Sequence, residues 1–126
     1  MLHERHYTIE QANAARPWVA ERLRRIRDAR DELDSPQARA ALAALDGTSG
    51  GGFPGREVAA AAVAVAAAVT ELDAMDVVVR DLTRGLVDFP SLRDGEEVYL
   101  CWLADDEDVV AHWHEPDAGF AGRRPV

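Results

Sequence analysis

The chain has 126 residues, of which 14 are basic and 23 acidic, for a net charge of −9. That length suits one domain, residues 1–126, with a core of its own, and the acidic balance argues against a general nucleic-acid binder, which needs a basic face. Every base is arginine, which removes the lysine of a P-loop or a Schiff base, and the single cysteine, Cys101, removes an internal disulfide or a CxxC site.

The first residues are polar and lack the apolar stretch of a signal peptide. Thr8 followed by Gln11 forms a capping box, with Tyr7 before it as a staple residue. Val19, Leu23, Ile26 and Leu33 then recur at helical spacing. Pro17 either kinks this helix or opens its long segment, and Ser35-Pro36 stops it near Asp34. Glu21, Asp28, Asp31 and Glu32 balance the arginines of 22–30, as on a solvated helix face.

Residues 37–46 read as a further short helix, and the Gly-rich 47–55 as a flexible linker. Residues 56–75 read as a second long helix. Its valines at 58, 63, 65 and 69 spread around the axis, the pattern of a helix buried on several sides. The apolar run 58–69 is mostly alanine and too short to span a bilayer. Its small side chains favour an antiparallel helical hairpin and a homodimer. The charge is uneven: residues 1–45 carry 8 arginines and 7 acids, whereas residues 46–126 carry 6 and 16.

After Met75 the period becomes two. Strands are expected at 77–82, at 86–89 ending before Pro90, at 97–103 and at 109–114, with turns at 83–85, 93–95 and an acidic tip at 105–108. The C-terminal 119–125 reads as irregular. The fold class is therefore α+β: an antiparallel pair of long helices packed on a three- or four-stranded antiparallel β-meander.

The last hairpin carries the chemistry. Val98, Leu100 and Trp102 best share a face with Ala111 and Trp113, which sets Cys101 opposite His112 and Tyr99 opposite His114. A thiol, two imidazoles and a phenol then gather on one side. Asp88, Glu115 and Asp117 lie close by in sequence or on the adjoining turn. Cys101, His112, His114, Asp88, Glu115 and Asp117 are ligand types for a divalent transition metal such as zinc or iron. Tyr99, Arg80 and Arg123 are candidates for supporting or ligand-binding roles. A structural reading stands beside this one, in which Cys101 fills the sheet's second face and the histidines bond to neighbouring carboxylates.

Other signals exclude more than they offer. Arg80-Asp81 and Arg84 with Asp88 read as salt bridges, and 119–123 as a docked tail. The acidic tip lacks calcium-loop spacing. No serine sits in a nucleophile elbow. Cys101 with His112 as base would be a nucleophile in an unusual mid-strand position. The lone thiol suits the reducing cytoplasm.

Several segments together carry a resemblance. They are 79–90, containing Gly85-Leu-Val-Asp-Phe-Pro90; Tyr99-Leu-Cys-Trp102; Ala111-His-Trp-His-Glu115; and Gly119-Phe-Ala-Gly-Arg123. With the helix opening at 7–14, they resemble an uncharacterised bacterial family, the domain of unknown function numbered 2203. Asp88, Cys101, His114, Gly119 and Arg123 match its pattern, and His112 lies beside it. The resemblance implies a small cytosolic bacterial protein and supplies no activity.

Overall fold

A computed structural model describes residues 1–36, 39, 40, 43 and 53–126. Helix α1 (Ile9–Asp34) opens on the expected capping box. The Gln11 amide donates to Thr8 Oγ1 at 3.1 Å, and the Thr8 amide donates to Gln11 Oε1 at 2.9 Å. Two of the amides a helix start leaves orphaned are thereby paired. Pro17 lies inside the helix rather than in its first turn. The helix stops at Asp34, before the Ser-Pro step.

Most of the expected helix at 37–46 and residues 47–52 of the expected linker lie outside the described residues. The linker's last three residues belong instead to helix α2 (Phe53–Ala74), with Pro54 in its first turn, where a missing N–H is harmless. The helix closes through a Schellman turn. Val77 N donates to the Leu72 carbonyl and Asp76 N to that of Asp73, with Asp76 in the left-handed conformation at φ 57°.

The strands follow as β1 (Val78–Asp81), β2 (Leu86–Arg93), β3 (Glu96–Leu103), β4 (His112–His114) and β5 (Arg124–Pro125). They form one antiparallel meander in sequence order. The class is α+β, with five strands rather than three or four. The fifth comes from the tail expected to be irregular, whose Arg124 pairs with Trp113. Strand β2 runs on past Pro90. Strand β1 pairs only as far as Asp88, so Pro90 stands at an edge and its missing N–H breaks no ladder. Strand β4 is shorter than expected at its start. The side chain of Asn13 in α1 claims both backbone groups of Val110, accepting its N–H at 2.8 Å and donating to its carbonyl at 3.2 Å. Asp94 and Gly95 take positive φ in the β2–β3 turn, as a two-residue Asp-Gly hairpin requires.

Two compact units result. One comprises Met1–Glu21 with Glu71–Val126, and the other comprises Arg22–Thr70. In the first, the sheet face bearing Val87, Phe89, Leu100 and Trp102 is buried, and Tyr7 meets Phe89 edge-on at 5.2 Å. The Tyr7 hydroxyl also donates to the Met75 carbonyl at 2.6 Å. In the second unit, Leu33 packs on Val58. The start of α1 thus meets the end of α2, and the end of α1 meets the start of α2, so the pair is antiparallel. Helix α2 departs from the expectation of burial on several sides. Val58, Ala61, Ala68 and Leu72 are buried, whereas Val63 is 68% exposed. No helix among the described residues is long and apolar enough to cross a membrane.

Candidate functional site

The expected register of the last hairpin is the observed one: Cys101 faces His112, and Tyr99 faces His114. Strand β2 adds Asp88 directly beside Cys101. Side chains opposite one another in antiparallel strands share a face. Asp88, Cys101 and His114 therefore converge from three successive strands onto the face away from Phe89. Their ligand-type atoms all lie within 4.8 Å of one another. All three residues are buried, at 1%, 1% and 2% exposure.

The hydrogen bonds fix the ring of His114. Its Nδ1 lies 2.7 Å from the Glu115 carbonyl, which only accepts, so Nδ1 carries a proton and donates. Its Nε2 faces Asp88 Oδ2 at 3.0 Å. Either a proton on Nε2, donated to Asp88, or a cation held by both atoms satisfies that contact. Asp88 Oδ2 also accepts from Arg80 Nε at 2.9 Å, while buried Oδ1 has no hydrogen-bond partner among the described residues. An unpaired buried carboxylate oxygen is costly and calls for a physical reason.

Arg80 stands two residues on from Val78, which pairs with Asp88, at a bulge in β1. The register jumps between Val79 and Asp81, leaving Arg80 out of the ladder and turned toward Asp88. Its guanidinium lies 4.9 Å above the Tyr99 ring. Burial works hardest against its charge, but the hydrogen bond and negative charge of Asp88, with Tyr99 beside it, together outweigh burial and raise its pKa. Burial acts first on the Cys101 thiol too. With the negative charge of Asp88 it pushes the thiol up to about 11, against the pull of Arg123. Arg123 Nη1 is 3.8 Å from Cys101 Sγ, and Nη1 and Nη2 donate to Glu107 Oε1 and Oε2 at 3.1 and 2.6 Å.

The other candidates sit around this cluster. His112 turns its Nδ1 to Glu107 Oε2 at 3.3 Å, outside the convergent group. Glu115 enters through its backbone carbonyl. Asp117 lines a cleft of about 280 Å³ with Arg80, Asp88, Cys101, His114 and Phe120. The Phe120 ring packs on Leu86, Cys101 and Leu103, and Arg84 and Arg123 lie 4.7 and 4.6 Å from its centroid.

Sequence reasoning missed the supports. Tyr99 shares a 2.8 Å hydrogen bond with His3 Nε2, and His3 Nδ1 faces Asp76 Oδ1 at 3.2 Å. Glu107 belongs to the acidic tip expected at 105–108. It accepts the Leu103 amide at 2.7 Å, besides Arg123. Nothing local in the sequence marks these partners, because each lies several residues or a whole domain length away.

A family model described as an uncharacterised conserved protein, DUF2203, matches residues 5–126, and the chain belongs to that family. No curated protein and no solved structure matches the chain.

Proposed function

We propose that this member of the DUF2203 family binds a divalent transition metal, zinc or iron, through Asp88, Cys101 and His114. The supporting observation is the buried convergence of Asp88, Cys101 and His114, whose ligand-type atoms lie within 4.8 Å of one another, beside an Asp88 oxygen with no hydrogen-bond partner among the described residues. A cation held by these three residues would also give the unpaired Asp88 oxygen a partner. Oxygen, nitrogen and thiolate donors together suit zinc and iron. The Nδ1–H···O=C bond to Glu115 is the usual way a protein aims a ligating imidazole. Binding converts the Cys101 thiol to thiolate, which the metal stabilises against its raised pKa. Three protein donors leave a coordination position open, for water activation or for a small ligand. A site containing a free thiol fits the reducing cytoplasm.

Elemental mass spectrometry on untagged protein tests this reading. About one ion per chain is expected, falling at least tenfold in Asp88→Asn, Cys101→Ser and His114→Ala. Cobalt(II) gives a thiolate charge-transfer band in the wild type that Cys101→Ser lacks. No bound metal in any sample, with thermal stability unmoved by added metal, overturns the reading.

One observation favours a second reading, a non-enzymatic dimeric interaction module. The exposed residues of α2 between 59 and 69 are all alanine or valine. A second copy of the chain is the occupant that small side chains at close helix approach would suit.

A further inference from the structure

We infer that the cleft beside Asp88, Cys101 and His114 receives a small monocarboxylate, gripped by Arg80. This rests on the metal reading above and names the ligand class of that site. At about 280 Å³ the cleft lies at the lower edge of small-molecule pockets, roughly 300–1,000 Å³. Its occupant is accordingly small.

Arg80 supplies the grip. Its Nε is committed to Asp88, and its guanidinium lies 4.9 Å from the centre of the Tyr99 ring, two contacts that restrain the fork. The side chain is 42% exposed and lines the cleft, and its terminal nitrogens have no carboxylate partner among the described residues. A planar guanidinium fork matches a carboxylate through paired hydrogen bonds, which an ammonium cannot reproduce. A divalent cation held by Asp88, Cys101 and His114 would add positive charge to the cleft those residues line.

The remaining walls narrow the choice among anions. Leu86, Pro116 and Phe120 offer apolar surface, suited to a short carbon chain rather than a bare inorganic ion. Exposed Asp117 stands at the same cleft and opposes a second negative charge. A monocarboxylate satisfies all three features, and phosphate satisfies only the first.

The test uses the full chain loaded with cobalt(II), titrated with acetate, butyrate and inorganic phosphate while the visible cobalt bands are followed. Butyrate is expected to shift the bands saturably, several-fold tighter than acetate, with phosphate weakest. Arg80→Gln should keep the thiolate-to-cobalt band and lose butyrate affinity at least tenfold. Arg80→Lys, with charge but no fork, should not restore it. Asp117→Asn, which leaves Arg80 and the three donors in place, should strengthen phosphate relative to butyrate. A thiolate band that forms but ignores every carboxylate at tens of millimolar overturns the inference and leaves the metal reading standing. So does phosphate binding more tightly than butyrate to the wild type, or unchanged butyrate affinity in Arg80→Gln. Absence of the thiolate band removes the metal reading and this inference with it.

Discussion

At the scale of single residues, Cys101 sets the tone of the cluster. Burial and the Asp88 charge hold its thiol at about 11, so only about one molecule in ten thousand is thiolate at neutral pH. The metal-free folded protein should therefore react with iodoacetamide at pH 7.5 at least a hundredfold more slowly than the same chain in denaturant. Mass spectrometry of the alkylated product measures this, and rapid labelling of the folded form would contradict the assigned environment. The pairing of Cys101 with His112 and of Tyr99 with His114 was legible in advance, because alternation of apolar residues allows one register to bury them. The separate fates of the two histidines were not legible. Both point to one face, and the choice between them is made by Glu107, Asp88 and the Glu115 carbonyl.

At the scale of elements, Glu107 ties the β3–β4 connection to the C-terminal tail. Its carboxylate accepts from Arg123 and from the Leu103 amide, and its backbone carbonyl accepts Trp102 Nε1 at 2.9 Å. Burial alone would raise its pKa, but the bonds from Arg123 and Leu103 outweigh it and hold the carboxyl below the ordinary value. A depressed folded pKa contributes stability that is present above the unfolded value, near 4.3, and is lost as pH falls through the folded one. Glu107→Ala should cost about 2–3 kcal/mol at pH 7. The difference from wild type should shrink in urea unfolding as pH drops below about 4. A constant difference across that range would remove the charged bridge as its cause. The strand ends were misjudged for related reasons. Asn13 lies 97 positions from Val110 and still decides where β4 begins. Pro90 looked like a stop because its edge position depends on how far β1 pairs.

At the scale of the whole molecule, the two helices and the meander were legible because each follows from a local period and a local cap. The one-sided burial of α2 was not, since an alanine-rich sequence carries little contrast between faces. That exposed face sets the prediction for assembly. Sedimentation velocity should give a dimer for the wild type, and Ala66→Glu should shift it toward monomer without altering metal content. A wild-type monomer at tens of micromolar would remove the dimer reading while leaving the site untouched. The division of the chain bears on the site as well. Asp88, Cys101, His114, Arg80 and the tail all belong to the unit made of Met1–Glu21 and Glu71–Val126. The segment Arg22–Thr70 leaves that unit and returns to it as one excursion. The candidate chemistry thus draws every donor from outside that segment, and a change confined to Arg22–Thr70 should leave metal content as it is.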